Sequence, residues 1–230
     1  MIHFTLFGIP VYIRPSFWVV LAIFGGALSI NSVEGLIYPA LFVIAGFVAI
    51  LSHEMGHALV GRKLGGGQQT IVLELFGGLT SSHGMQLTRG GRALMILAGP
   101  MMTLLLGIIS LGLTWNIVAP VMTSYNLNFW DLAISPFTAA LISPKLYILS
   151  CLIMIGEWWT ILNLLPIYPL DGGQLIAQYI RSPRKVFMTG FITAILIGLL
   201  SFQLFHGYFI PIFMALFAYS NYREYKNAPF

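Results

Sequence analysis

From Val186 to Tyr222 the chain carries no Asp, Glu, Lys or Arg. A stretch that apolar does not suit a water-facing helix, and it is too long for one membrane crossing of roughly 20 residues. His206-Gly207, followed by Pro211, offers a break, so the spacing predicts two helices, 186–204 and 208–222. The same reasoning picks out 16–30, 36–61, 93–118 and 146–165 as apolar segments. Charged residues make up 8% of the chain and hydrophobic ones 58%, whereas a soluble domain carries about 25% charged residues. The expected architecture is an all-α polytopic membrane protein of about six transmembrane helices, folded as a single membrane-embedded domain over 1–230.

Orientation follows from the basic residues. With the N-terminus inside, Arg14, Arg62, Lys63, Arg89, Arg92, Arg181, Arg184, Lys185, Arg223 and Lys226 share one side, and only Lys145 falls on the other. That bias predicts cytoplasmic termini. It also accounts for the net charge of +4, so no nucleic-acid partner is expected. Cys151 is the single cysteine, which excludes an internal disulfide and a Cys-rich zinc ribbon. The opening M-I-H-F-T-L-F-G-I-P lacks a basic n-region and a small-residue cleavage site, so the first hydrophobic segment is expected to stay in the mature chain. The loop from Pro120 to Lys145, with Asp131, is expected to form an outer cap.

Residues 65–84, G-G-G-Q-Q-T-I-V-L-E-L-F-G-G-L-T-S-S-H-G, are too apolar for a solvated loop and too Gly-rich for a helix. A strand over 70–76, a tight turn at Gly77-Gly78 and a return strand over 79–83 fit the pattern. Non-helical backbone at membrane depth is tolerated where it is buried in protein or lines a wet cavity. The reading is a re-entrant β-hairpin between the second and third helices; an amphipathic connector lying on the bilayer surface is the plainer alternative.

Inside the second apolar segment stands His53-Glu54-Met55-Gly56-His57. Residues i and i+4 of a helix share a face, so both imidazoles reach one ion, and the glutamate beside them serves as general base. Gly56 keeps one side of that turn small, leaving room for a ligand or a closely packed neighbour. Chance produces H-E-x-x-H in roughly one chain of this length in a hundred, given ordinary composition. Within a lipid span it is rarer still, because ionisable groups there are costly.

A catalytic zinc needs a third protein ligand. Glu34 and Asp131 belong to outer loops and Glu224 to the tail, leaving Glu74, Glu157 and Asp171. Asp171 lies in N-L-L-P-I-Y-P-L-D-G-G, residues 163–173, where Pro166 and Pro169 stop the fourth helix. Broken helices at membrane depth aim side chains into cavities. Depth agrees: His57 lies about 8 Å of helix before Arg62, and Asp171 at most about 15 Å before Arg181. Capping of a short helix over 172–181 is the plain alternative, but it leaves the prolines and Asn163 without a reason. Glu157, in the middle of the fourth helix, is the rival ligand, or else a buried, protonated carboxyl. Glu74 is placed near the interface.

H-E-M-G-H in an apolar helix, with N-L-L-P-I-Y-P-L-D-G-G far downstream, resembles the site-2 protease family. The similarity extends over the whole chain, including the Gly-Gly hairpin region and A-G-P at 98–100. The resemblance implies one Zn2+ per chain held by His53, His57 and Asp171, with Glu54 as catalytic base and Asn163 helping to hold the substrate. It implies an intramembrane zinc metalloprotease of a prokaryotic cell membrane, engaged in regulated intramembrane proteolysis. Its partners would be the lipid bilayer and a single-span membrane-protein substrate, with a homo-oligomer or a regulatory membrane partner compatible. Family members often carry Asn three residues after the Pro of the Gly-Pro motif; here that position is Thr103, whose hydroxyl imitates the amide only in part. No PDZ insertion or CBS domain is evident, so a minimal form is expected.

A transmembrane substrate hides its carbonyls in helical hydrogen bonds and must unwind before hydrolysis. The hairpin, with Gly77 and Gly78, would hold the unwound strand by β-strand addition. His83, at its end, is the better placed of the lone histidines for a substrate contact; His206 has no partner at ligand spacing. Two other readings stay open. One is a membrane metalloprotease that uses a Glu third ligand on soluble or peripheral peptides. The other is a non-hydrolytic, metal-binding membrane transporter, for which polar residues on several helices and an internal repeat are expected; neither is evident.

Overall fold

The computed structural model describes residues 1–30, 32–75, 77–84, 86–125 and 135–229, which leaves Asp131 and the middle of the expected outer cap outside the described residues. Those residues divide into two compact units, Met1–Thr160 and Ile161–Phe230.

The first unit begins with strands, not with a helix. Strand β1 (Ile2–Leu6) turns back into β2 (Ile9–Ile13) through Phe7 and Gly8. Both turn residues have positive φ, 49° and 75°, as a two-residue turn matched to strand twist requires. In β2, Ile9, Val11 and Ile13 are buried at the strand period of two. Helix α1 (Pro15–Phe24) follows with proline in its first turn, where the missing N–H costs nothing. Its last residue is Phe24, six short of the expected limit at 30, because Gly26 takes φ 83° and turns the chain into a single 3-10 turn.

Helix α2 (Ile37–Gly65) leads to β3 (Gln68–Glu74) and β4 (Gly77–His83), then to α3 (Arg89–Tyr125), α4 (Pro136–Ala140) and α5 (Pro144–Asn163). The four strands form one sheet in the order β1-β2-β3-β4. The two hairpins are antiparallel, and β2 pairs with β3 in parallel, Val11 opposite Ile71 and Ile13 opposite Leu73. Parallel neighbours need a long crossover, and here α1 and α2 supply it. Ile9, Val11, Ile13, Ile71 and Leu73 pack against Phe17, Leu21, Ile50, Leu51, Met55 and Ala58. The sheet is thereby pressed against the middle of α2. Two polar contacts fasten it: Arg62 donates to the Phe7 carbonyl at 2.8 Å, and Arg14 pairs with Glu74 at 2.8 Å.

The expected turn at Gly77-Gly78 is corrected. Glu74 and Gly77 are opposite one another in the register, so the connection falls between them and both glycines belong to β4. Their smallness answers a packing demand described below, not a turn.

The second unit holds the end of α5, then α6 (Asp171–Ala177), α7 (Pro183–Phe205) and α8 (Phe209–Asn227). Ile167, Ala194, Met214 and Ala218 form its core. The break between α7 and α8 lies where expected; His206 closes α7 in the left-handed conformation, φ 50°, with its N–H bonded to the Phe202 carbonyl.

Four stretches are long and apolar enough to cross a membrane: Ile37–Gly65, Arg89–Ala119, Pro144–Asn163 and Pro183–Leu204. The chain is a multi-pass membrane protein, mostly helical, with a small β-sheet. Among the described residues, α1 is half a crossing in length and α8 carries Arg223, Glu224 and Lys226 at its end, so neither meets the same test.

The fold yields a stability contrast. Ile71→Ala, in the sheet core, should lower stability by about 2–5 kcal/mol, and Leu79→Ala, exposed on β4, by no more than about 0.5 kcal/mol. Thermal unfolding in detergent micelles checks it, as a clear fall in midpoint for the first variant only.

Candidate metal and catalytic site

The H-E-M-G-H turn lies in the second half of α2, and its three ionisable residues are buried: His53 is 2% exposed, Glu54 4% and His57 7%. One helical turn brings the two imidazoles together edge to face, with their Nε2 atoms 3.0 Å apart. Two nitrogens bound tetrahedrally to zinc at about 2.05 Å stand about 3.3 Å apart, so a small rotation of either ring suffices. The His57 Nδ1 lies 2.8 Å from the Met95 carbonyl. A carbonyl only accepts, so Nδ1 carries the hydrogen and the neutral ring keeps its Nε2 lone pair for an ion. A carbonyl behind a ligating histidine is the usual device for fixing its tautomer and aim.

Helix α3 makes this possible by close approach. A methyl group at Gly99 would overlap the His57 ring at Nε2, and one at Gly56 would overlap the Ala98 carbonyl. Gly56 thus serves a packed neighbour, and A-G-P at 98–100 is the part of α3 that packs on the histidines. Beyond it, the buried Thr103 hydroxyl donates to the Pro100 carbonyl at 2.9 Å and lies 2.9 Å from the Thr160 hydroxyl. The hydroxyl thereby joins α3 to α5.

Strand β4 forms the other wall. A side chain at Gly78 would overlap the Glu54 side chain, and one at Gly77 would meet the Trp159 ring. Trp159 in turn faces His53 edge-on at 6.4 Å between ring centroids. Two residues along the strand from Gly78, Thr80 donates through Oγ1 to Glu54 Oε2 at 2.7 Å.

In the second unit, Asp171 is buried at 6% exposure as the first residue of α6. The N-cap position belongs to Leu170, so Asp171 stands at the first helical position and not at the cap. The helix is also shorter than the expected 172–181. Asn221 donates to the Tyr168 carbonyl at 2.6 Å and to the Phe217 carbonyl at 2.9 Å, which ties the P-I-Y-P segment to α8. Gly172 and Gly173 leave no space for side chains against the backbone of Leu164 and Ile167. Asn163 is buried at the end of α5.

The expected burial of Glu157 is corrected, and the remaining candidates take the following places. Glu157 is exposed on α5, neither buried nor enclosed with the imidazoles. Glu74 is held in its ion pair with Arg14. His83 is exposed at the end of β4, opposite Gln68 and three residues beyond Thr80, and His206 is an exposed helix cap. Thr80, Asn221 and the Met95 carbonyl belong to no motif the sequence offers, and A-G-P at 98–100 marks Gly99 without showing that it makes room for His57. Of the first three, only Thr80 left a trace, its i, i+2 spacing from Gly78 on a strand.

A model of peptidase family M50 matches residues 41–205. Zinc metalloprotease MJ0392 of Methanocaldococcus jannaschii is 28% identical over 227 residues, a match covering 94% of this chain and 57% of that protein. The chain therefore spans little more than half the length of this relative. Among solved structures, the site-2 protease from Methanocaldococcus jannaschii aligns with a TM-score of 0.62 at 25% identity, over 97% of this chain and 94% of that one.

The crossing of α2 and α3 predicts a sharp contrast between two glycines of α3. Gly99→Ala should strip the purified protein of bound metal, whereas Gly90→Ala, which faces open space, should retain it. Metal content by inductively coupled plasma mass spectrometry reads the difference.

Proposed function

The chain belongs to the site-2 protease family, peptidase family M50, and from that premise we propose that it is an intramembrane zinc metalloprotease. The observation that carries the reading is the pair of Nε2 atoms 3.0 Å apart, with Glu54 buried beside them in a helix of membrane-spanning length. His53, His57 and Asp171 would hold one zinc ion. Two imidazoles and a carboxylate are a donor set that zinc favours, with a fourth position left for water or substrate.

When bound, zinc supplies Lewis acidity that makes water a nucleophile near neutral pH. Glu54 takes the proton of the attacking water at its carboxylate and hands it to the leaving nitrogen. The Asn163 amide donates to the oxyanion that forms at the substrate carbonyl. Trp159, Met55 and the sheet core keep bulk water from the carboxylate, which strengthens each of these interactions.

The substrate in this reading is a single-span membrane protein, cut within or near its transmembrane segment in regulated intramembrane proteolysis. Its unwound strand adds to the outer edge of β4, which has one neighbour, β3, among the described residues. Gly77, Gly78 and His83 lie along that strand, and the β3–β4 hairpin enters the membrane from the cytoplasmic side. Six crossings, cytoplasmic termini, one domain over 1–230 and a prokaryotic cell membrane complete the proposal, with room for a homo-oligomer or a regulatory membrane partner.

Zinc content and cleavage of single-span substrates, measured together on the purified protein, test it. Glu54→Gln should keep zinc and lose at least about 10²-fold in cleavage rate, the lower range for a general base. Asp171→Ala should lose both, and Glu157→Ala neither. Full cleavage by Glu54→Gln would overturn the protease assignment, and a wild type that binds zinc without cleaving would favour the transporter reading.

A further inference from the structure

We propose that Thr80 is the positioning residue of the general base: its hydroxyl holds one carboxylate oxygen of Glu54 and leaves the other aimed at the reacting water. The inference rests on the protease reading above, in which Glu54 moves the proton.

The terminal torsion of a glutamate is broad and roughly two-fold, so burial alone does not choose its direction. At Glu54 two features of β4 choose it. Thr80 Oγ1 lies 2.7 Å from Oε2, the length of a hydroxyl donating to a carboxylate. The same Oγ1 lies 3.2 Å from the Glu54 backbone carbonyl, but a hydroxyl has one hydrogen and the shorter contact takes it. Gly78, on the same face of the strand, leaves the volume that Cγ and Oε1 occupy; any side chain there would overlap both. One strand therefore ties down Oε2 and makes room for Oε1.

The hydroxyl is itself held in place. Thr80 sits opposite Ile71 in the β3–β4 register, and Ile71 is fully buried in the core that also contains Met55 of α2. The donor's strand is thus hydrogen-bonded to β3, which shares one packed core with the helix that carries the carboxylate, a support of the kind that holds a site to within a fraction of an ångström. The same strand offers the edge proposed to receive the substrate, so the base and the scissile bond are registered to a common element.

The test compares Thr80→Val, close in shape but without the hydroxyl, with Thr80→Ser, which keeps it. Expected for Thr80→Val is a kcat lowered about 10- to 100-fold, the scale of a misplaced catalytic group, with KM and zinc content unchanged. Thr80→Ser should recover most of kcat. Thr80→Ala reads the same quantity in case the valine variant folds poorly. Wild-type kcat in both Thr80→Val and Thr80→Ala would overturn the proposal. So would equal losses in Val and Ser, which would make Thr80 a packing residue, or a loss carried by KM, which would make it a substrate contact. Glu54→Gln run alongside separates the two levels: if it is inactive while Thr80→Val is fully active, only the positioning role falls; if Glu54→Gln is active, the protease reading falls with it.

Discussion

At the crossing of α2 and α3, Gly56 meets the Ala98 carbonyl and Gly99 lies against the His57 ring. Everything chemical in the first unit depends on that contact. Ionisable side chains inside a membrane span are expensive, and His53, Glu54 and His57 are tolerated because each is buried against protein. The close approach brings the Met95 carbonyl to His57 Nδ1, so the ring is oriented before any ion arrives. A single methyl on either glycine would separate the helices and leave the histidines without that backing.

The sheet completes the arrangement from the other side. Its core residues bind it to α1 and α2, and its last strand delivers Gly78 and Thr80 to Glu54. Glycine is required at 78 for the same reason as at 99: a functional side chain occupies the space where a Cβ would stand. Strand and helix thus share one logic, in which small residues on the scaffold give volume to reactive residues on α2. In the second unit, the chain uses prolines to end α5 and Asn221 to hold the resulting turn, presenting Asp171 at a helix start.

How much of this was legible in the sequence follows from the range of each signal. H-E-M-G-H is local, needs only the helical period, and is readable without a structure; so are the four long apolar spans and the break at His206-Gly207. The hairpin is readable as β but its turn is not, because glycine pairs mark both turns and close packing and only the register of Glu74 with Gly77 tells them apart. The β1–β2 hairpin has no counterpart in the sequence reading, which begins its first apolar segment at 16, although Ile9, Val11 and Ile13 alternate. Glu157 was expected to be buried because it lies mid-helix, yet position along a helix does not say which face it occupies. Thr80 acts across a long sequence separation that no local pattern announces, and A-G-P marks Gly99 without saying which side chain it accommodates.

The proposed zinc site is defined by its first coordination sphere. X-ray absorption at the zinc K-edge of the purified protein tests it directly. It should report four-coordinate zinc with two imidazole nitrogens and oxygen ligands only, at about 2.0–2.2 Å. A third imidazole, a sulfur ligand, or zinc that stays bound with an unchanged spectrum in His53→Ala would contradict it.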